Sequence, residues 1–226
     1  MKYTTLLLDL DETLFDFKKS EKYAINRLME KYSIPVTEEN RRLYSEINDS
    51  KWKQLEKGVL TRPQLFKERF SEFFEKTGTV ADTSEANLSY LKFLSQASFI
   101  LEGALEACAK LSEKYRLYIV TNGASIVQHG RLDGSPIMDY ISDVFISEEI
   151  GLNKPQKEYF DYVLDHIPEK DKTKILVVGD SLSSDIAGAV NSGLDSCWIN
   201  RKKQSIESPA TYSISDITVL YDFLNA

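Results

Sequence analysis

Three acidic side chains stand at the end of an apolar run near the start of the chain. Residues 6 to 15 read LLLDLDETLF, so Asp9, Asp11 and Glu12 follow a segment with the composition of a buried strand. A buried carboxylate is costly unless a cation or a hydrogen-bond donor is paired with it. Side chains at positions i and i+2 of a strand share one face, so Asp9 and Asp11 can face one reacting centre. The pattern predicts a cation site or a catalytic role.

Three later apolar runs are also followed by polar motifs, the second of them only after Glu148-Glu149-Ile150-Gly151. TNG at 121–123 offers a hydroxyl, an amide and a turn that can free backbone N–H groups for an anion. KP at 154–155 places a cation before a rigid turn, and GDSLSSD at 179–185 supplies Asp180 and Asp185. Each signal alone is weak, because Asp, Asn and Gly often end strands as turn formers. Their combination after four strands in one crevice favours a functional site.

These four motifs resemble those of the haloacid dehalogenase-like superfamily of aspartate-nucleophile hydrolases. The match consists of DLDET at 9–13, then TNG, KP and GDSLSSD, and it extends over essentially the whole chain. The stretches TNGASIVQHGRL, SEEIGLNKP and GDSLSSDIAGAVNSGLDSCWIN further resemble the YjjG-like pyrimidine nucleoside 5′-monophosphatases. The resemblance implies a phosphatase that hydrolyses small phosphate monoesters in two steps, through an aspartyl-phosphate.

The resemblance also assigns chemical roles to the matched residues. Asp9 would be the nucleophile, and Asp11 would act as general acid to the leaving alkoxide and then as general base to the attacking water. Thr121 and Asn122 would hold the phosphoryl oxygens. Lys154 would hold them as well and neutralise their charge as a point cation.

Attack of a carboxylate on a phosphate dianion requires a cation between the two anions, and the hard oxygen donors on offer favour Mg²⁺. The expected ligands are the side chains of Asp9 and Asp180 and the backbone carbonyl of Asp11. Asp185 is expected to bind a metal-bound water or to orient Lys154.

The elements that must position these residues follow from the alternation of short aliphatic runs with longer helical patterns. That alternation is typical of an α/β fold with a Rossmann-like parallel sheet and crossover helices. In such sheets ligands bind beyond the carboxyl ends of the strands, where the four motifs lie. We predict strands at about Thr4 to Leu10, Leu117 to Thr121, Val144 to Ser147, Ile175 to Gly179, Ser196 to Ile199 and, more weakly, Tyr212 to Ile214.

One long stretch directly after the first strand has no convincing strand of its own. We predict that residues 16–98 form an inserted helical cap domain, and that residues 1–15 and 99–226 form the catalytic core. The cap would move as a lid over the crevice, with hinges at Asp16 to Lys19 and Ala97 to Leu101. Its amphipathic segments include Ser20 to Tyr32, Glu38 to Leu55 and Arg62 to Lys76.

Residues near the first motif have mostly structural interpretations. We interpret Glu12 as a supporting or solvated residue, Thr13 as a hydrogen-bond donor to the turn, and Asp16 as a helix cap. Phe15 and Phe17 could stack on a base, but packing of the cap against the core is the favoured interpretation.

Three cap residues, Trp52, Lys53 and Arg62, could reach a leaving group. Single aromatic and basic residues on helices more often pack or face solvent, so we favour that interpretation for all three.

Composition narrows the possible partners. The chain has 226 residues, of which 42% are hydrophobic, and its net charge of −7 argues against a nucleic-acid polymer or an anionic membrane as partner. We expect a small-molecule phosphate monoester as partner and, with no signal-peptide or membrane-span pattern, a cytoplasmic protein. Cys108 and Cys197 are predicted to be small core residues, and His129 and His166 structural or solvent-facing. The sequence leaves the oligomeric state open.

Alternatives remain within and outside this enzyme class. A haloacid dehalogenase has no use for a proton donor at Asp11 or a metal site at Asp180, whereas a sugar-phosphate phosphatase or a mutase of the β-phosphoglucomutase kind would keep every motif. A receiver-type signalling module would need no cap. A non-catalytic phosphate or nucleotide sensor would be indicated by loss of Asp9 or Asp11, and both are present.

Overall fold

The sheet is parallel throughout and has six strands. A computed structural model describes residues 2–225 of the chain. The strands are β1 (Thr5–Leu8), β2 (Arg116–Thr121), β3 (Ile141–Ile146), β4 (Ile175–Gly179), β5 (Asp195–Ile199) and β6 (Tyr212–Ile214). They lie in the order β3-β2-β1-β4-β5-β6, and every neighbouring pair is parallel. The predicted α/β fold with a Rossmann-like sheet is confirmed.

Four strands differ from the predicted bounds, β2 and β5 by a single residue at their starts and β1 and β3 by more. β1 ends at Leu8 rather than Leu10, although the Asp9 N–H still donates to the carbonyl of Val178 at 2.9 Å. β3 starts at Ile141 and ends at Ile146, because Ser147 already begins a short helix. Exposed polar residues such as Asp143 interrupt the apolar pattern of this edge strand, so the sequence does not show where β3 starts.

Alternate residues of the central strands belong to two separate hydrophobic clusters, one on each face of the sheet. Leu6 and Leu8 belong to the cluster on one face of the sheet, whereas Leu7 belongs to the cluster on the other. A strand buried on both faces reads as a continuous apolar run, which explains the LLL of β1. Both cysteines, Cys108 and Cys197, are free and buried in the first cluster, as predicted.

Ten α-helices are described within residues 2–225. They are α1 (Phe17–Lys31), α2 (Glu38–Glu56), α3 (Arg62–Thr77), α4 (Thr83–Ser95), α5 (Ala104–Ser112), α6 (Ser125–Leu132), α7 (Ser147–Ile150), α8 (Lys157–His166), α9 (Ala187–Ser192) and α10 (Leu220–Asn225). A π-helical turn, Leu182–Ile186, precedes α9. In the described part of the chain, none of the helices has both the length and the apolar character of a membrane span.

Helices α1 to α4 lie between β1 and β2 and pack around an aromatic cluster of their own. The rings of Tyr44, Phe70, Phe73 and Tyr90 contact one another with centroids 5.2–5.6 Å apart. Three of these helices match the predicted amphipathic segments within a few residues, and α4 was not separately predicted. The division into a cap of 16–98 and a core stays a prediction.

The two segments that connect these helices to the sheet run side by side. Phe15 and Ile100 form an antiparallel bridge, and the Asp16 N–H donates to the carbonyl of Phe99 at 2.8 Å. Asp16 also caps α1, because its Oδ1 accepts a hydrogen bond from the Lys19 N–H at 2.8 Å, as predicted. The predicted hinges therefore lie on paired backbone.

Candidate active site

The four sequence motifs meet at the carboxyl edge of the sheet. Asp9 follows β1, Thr121 ends β2, and Asp180 follows β4. The chain runs from β1 to β2 and β3 on one side and places β4 on the other side of β1, so a crevice opens beyond β1 and β4. A cavity of about 360 Å³ lies there, between the sheet edge and helices α2, α3 and α4. Its size is in the range of small-molecule sites.

Lys154 lies at the centre of the cavity floor and is fully buried. Its Nζ donates to Asp9 Oδ1 at 2.7 Å, to Asp185 Oδ1 at 2.6 Å and to the carbonyl of Val120 at 2.7 Å. All three ammonium hydrogens are therefore used. Burial opposes the charge, but Asp185 and Asp9 outweigh it and raise the pKa of Lys154, so the ammonium stays charged.

Asp185 is held on both carboxylate oxygens. Oδ1 accepts from Lys154, and Oδ2 accepts from the Ser181 N–H at 3.1 Å. Gly179 leaves the space for this carboxylate, since a Cβ at that position would lie 2.2 Å from Asp185 Oδ2. The structure thus places Asp185 against Lys154.

Carboxylates outnumber cations around this lysine. One oxygen each of Asp9, Asp180 and Asp185 lies within 4.8 Å of the others. Burial, and then Asp185, raise the pKa of Asp9, and burial followed by Asp185 raises the pKa of Asp180 to about 7. Crowded hard oxygen donors with an excess of negative charge fit a divalent cation.

The predicted metal ligands are only partly represented in this cluster. Asp9 and Asp180 belong to it, whereas the carboxylate of Asp11 does not. The prediction used the backbone carbonyl of Asp11, not its carboxylate.

The Asp11 side chain contacts two residues that sequence reasoning did not single out. Its Oδ1 accepts from Arg131 Nη1 at 2.5 Å, and its Oδ2 accepts from Gln128 Nε2 at 3.0 Å. Both donors are buried on α6. They lie within the stretch TNGASIVQHGRL, three residues apart, and this helical spacing was the available signal.

The hydroxyl of Thr121 is set up to donate. Its Oγ1 accepts from the Gly123 N–H at 3.1 Å and from Gln128 Nε2 at 2.9 Å, which leaves its own proton for a ligand oxygen. Gly123 was predicted as a turn that frees backbone N–H groups. The structure gives it a different requirement, because a Cβ there would lie 1.9 Å from Gln128 Nε2.

Asn122 joins the second motif to the third. Its Nδ2 donates to the Lys154 carbonyl, and its Oδ1 accepts from the Lys154 N–H, both at 2.9 Å. This pair of bonds fixes the loop that carries the lysine. The predicted contact between Asn122 and a phosphoryl oxygen stays a prediction.

The residues around the first motif have structural contacts. Glu12 Oε1 accepts from the Lys18 N–H at 3.0 Å, and Phe15 is buried under the Arg131 guanidinium. The hydrogen bond predicted for Thr13 is wrong, because its buried hydroxyl has no partner among residues 2–225.

The helices above the cavity contribute several of its walls. Phe17, Trp52 and Lys53 line it, together with Glu56. Phe17 also packs against the aromatic cluster of α1 to α4. Trp52 and Lys53 were predicted to pack or face solvent, and both also form part of the cavity wall. Arg62 was also predicted to pack or face solvent, but it bonds to the sheet-edge loops instead.

Comparison with known proteins agrees with this geometry. A family model described as haloacid dehalogenase-like hydrolase matches residues 3–193. The chain is 38% identical to the HAD-hydrolase YfnB of Bacillus subtilis, over 99% of this chain and 96% of that protein. The magnesium-bound crystal structure of YfnB, which reveals interdomain movement, superimposes with a TM-score of 0.93 over the whole of both chains.

Two further relatives carry a named activity. The pyrimidine 5′-nucleotidase PynA of Streptococcus pneumoniae is 33% identical over 100% of this chain and 96% of that protein. The pyrimidine 5′-nucleotidase YjjG of Escherichia coli is 31% identical over 99% of both.

Proposed function

We propose that this chain, which belongs to the haloacid dehalogenase-like hydrolase family, is a magnesium-dependent phosphatase of nucleoside 5′-monophosphates that prefers pyrimidine nucleotides. The observation that carries the proposal is the buried Lys154 between Asp9 and Asp185, beside Asp180, at the floor of one cavity. The two relatives named as pyrimidine 5′-nucleotidases support the choice of substrate.

The carboxylate group supports the choice of metal. We assign Asp9, Asp180 and the backbone carbonyl of Asp11 as ligands of Mg²⁺, with Asp185 orienting Lys154. The ion supplies positive charge that offsets the repulsion between a carboxylate nucleophile and a phosphate dianion. Lys154 adds a fixed positive charge on the same floor, which costs no reorganisation during the reaction.

In the first step Asp9 attacks phosphorus. Of the two carboxylate oxygens of Asp9, only Oδ1 accepts a hydrogen bond from the described residues, and its donor is Lys154. Oδ2 is therefore available as nucleophile. The new bond joins Asp9 Oδ2 to phosphorus, the bond from phosphorus to the leaving oxygen breaks, and Asp11 gives that oxygen a proton. Thr121 donates its hydroxyl proton to a phosphoryl oxygen.

In the second step water cleaves the aspartyl-phosphate. Asp11, now without its proton, takes one from the water as the water oxygen bonds to phosphorus. The bond between phosphorus and Asp9 breaks, which releases phosphate and restores both carboxyl groups. Division into two steps is the advantage of a covalent route for a very slow uncatalysed reaction.

The cavity supports a substrate with a flat, partly polar leaving group. Trp52, Tyr90 and Phe17 give it aromatic walls, and Asn48 and Lys53 add polar groups. An aromatic ring beside polar groups suits a nucleobase.

The two free buried cysteines fit the predicted cytoplasmic location.

The direct test is phosphate release from a panel of nucleoside monophosphates and sugar phosphates. We expect turnover with Mg²⁺, a pyrimidine preference, and loss of activity in EDTA that added Mg²⁺ restores. The Asp9→Asn variant should lose at least about 1,000-fold in kcat, because the nucleophile is gone. A matched control, Asp143→Asn on the exposed start of β3, should retain activity.

The outcomes separate the parts of the proposal. Release from sugar phosphates alone would overturn the nucleotidase assignment and leave the phosphatase. Undiminished turnover by Asp9→Asn would rule out the covalent route, and EDTA-resistant turnover would rule out the metal.

A further inference from the structure

Arg131 is a fully buried arginine beside the active site, and it does not line the cavity. Its guanidinium lies over the Phe15 ring, 5.0 Å from the centroid, and its Nε and Nη2 have no partner among the described residues. A buried cation is costly unless an anion is paired with it. The carboxylate that meets it is Asp11, at 2.5 Å from Nη1.

Gln128 lies one helical turn before Arg131 and faces the cavity. Its single amide nitrogen donates both to Asp11 Oδ2 at 3.0 Å and to Thr121 Oγ1 at 2.9 Å. Its Oε1 accepts from Arg131 Nη1 at 3.2 Å, which fixes the amide orientation. The acid/base carboxylate and the phosphate-binding hydroxyl are therefore connected through one side chain.

The helix that carries this pair is itself fixed on several sides. The Ser125 N–H at the start of α6 donates to Glu148 at 2.6 Å, and the Arg131 carbonyl accepts from Ser98 Oγ at 2.7 Å. Gly130 lies so close to α4 that a Cβ would meet the Ser95 Cβ at 2.7 Å. A side chain is only as well placed as its supporting backbone, and α6 provides a rigid one.

We propose that Gln128 and Arg131 are positioning residues for Asp11, holding the acid/base carboxylate beside the phosphate-binding hydroxyl of Thr121. The inference rests on the proposed phosphatase function and adds to it the two residues that fix Asp11. Arg131 supplies the counter-charge for the Asp11 carboxylate that forms when the proton passes to the leaving oxygen, and Gln128 sets the separation from Thr121. A displacement of about 1 Å in a reacting group can cost on the order of 100-fold in rate.

The leaving group provides a readout that a structural role would not move. A nucleoside alkoxide is a poor leaving group and needs a proton from Asp11 as the bond breaks, whereas p-nitrophenolate leaves readily without one. Damage to the position of Asp11 should therefore slow release of a nucleoside far more than release of p-nitrophenol. General loss of folding would slow both equally.

The experiment measures single-turnover release of the leaving group from uridine 5′-monophosphate and from p-nitrophenyl phosphate, with Mg²⁺ and excess enzyme. In Arg131→Met we expect nucleoside release to fall about 100-fold and p-nitrophenol release by less than about 3-fold. Gln128→Met, which removes the amide without touching the buried charge, should show the same pattern with a loss of about 10-fold. Gln128→Met also provides the test if Arg131→Met does not fold. Arg116→Met, on an exposed arginine at the far end of β2, is the matched control and should resemble wild type.

A double-mutant cycle completes the test. In an Asp11→Ala background, adding Arg131→Met should slow nucleoside release by less than about 2-fold, because the residue acts through Asp11. Multiplicative losses, or equal losses with both substrates, would overturn the positioning role. A wild-type protein that releases neither leaving group would instead overturn the proposed function.

Discussion

At the residue scale, the site is defined by one lysine among several carboxylates. Lys154 is shared by Asp9 and Asp185, and because all three are buried, loss of the lysine would leave two unpaired carboxylates. Asp180 has no ion pair within the described residues, although it lies in the same cluster. The site therefore holds an excess of negative charge, and that excess is the physical reason to propose a divalent cation there.

This charge imbalance predicts an unusual effect of Asp180→Asn. Burial and Asp185 raise the pKa of Asp180 to about 7, so the carboxylate form opposes folding of the metal-free protein. The cost is absent near pH 3, where the group is protonated in both states, it grows as the pH rises from the unfolded pKa of 3.8, and it is complete above pH 7. In EDTA at pH 8, Asp180→Asn should raise the free energy of unfolding by about 2 to 4 kcal/mol, and near pH 3 it should change nothing.

Thermal unfolding in EDTA at the two pH values, and again with Mg²⁺, checks this prediction. Mg²⁺ should stabilise the wild type and reverse the order, because the variant has lost a ligand. A variant that is less stable than wild type in EDTA at pH 8 would contradict the repulsion argument. Asp143→Asn, on an exposed carboxylate, controls for general loss of negative charge.

At the element scale, the helices above the cavity are attached to the motif loops by specific bonds. Arg62, at the start of α3, donates to the Asn122 carbonyl at 3.1 Å and to Ser147 Oγ at 2.7 Å. At the end of α2, Glu56 accepts from Ser183 Oγ at 2.8 Å. The second motif, the residue after β3 and the fourth motif are thus each contacted from above, and these bonds favour a closed arrangement over the cavity.

Arg62→Met should weaken this attachment. The loss of its charge-assisted hydrogen bonds should lower the population of the closed form and raise KM for a nucleotide about 5- to 10-fold, with a smaller change in kcat. Small-angle scattering of the free protein should show a larger radius of gyration. Arg42→Met, on the solvent-exposed face of α2, is the control, and an unchanged KM and radius for Arg62→Met would contradict the attachment.

At the scale of the whole molecule, the sheet and the inserted helices share a hydrophobic cluster. Ala124, directly before α6, and Val127 of α6 pack within the aromatic cluster of α1 to α4, although α6 belongs to the sheet side of the chain. Loss of either part would expose apolar surface of the other. Such shared burial couples the stability of the two parts.

The shared cluster predicts that both parts unfold together. The two tryptophans report on them separately, since Trp52 lies in α2 and Trp198 in β5. In Trp52→Phe and in Trp198→Phe, the fluorescence midpoint should coincide with the circular dichroism midpoint of the same protein within about 1 °C. A fluorescence transition of Trp52 that precedes the dichroism change would show independent unfolding of the inserted helices.

The sequence by itself determined the type of sheet and the identity of the motif residues. Buried parallel strands require continuous apolar runs, and the polar residues that end them stand out in the chain as DLDET, TNG, KP and GDSLSSD. The three helical segments predicted between β1 and β2 follow from a local amphipathic pattern, and Asp16 as a cap follows from a local hydrogen bond.

Only the tertiary structure decided which donor meets which acceptor. Arg131 and Asp11 are 120 residues apart in sequence, so no local pattern links them, and their contact depends on how α6 packs beside β1. The second role of Gly123, the pairing of Asn122 with the Lys154 backbone and the unpartnered hydroxyl of Thr13 likewise depend on close packing between distant segments. A sequence pattern reports the period and polarity of one element, whereas a contact depends on the relative placement of two.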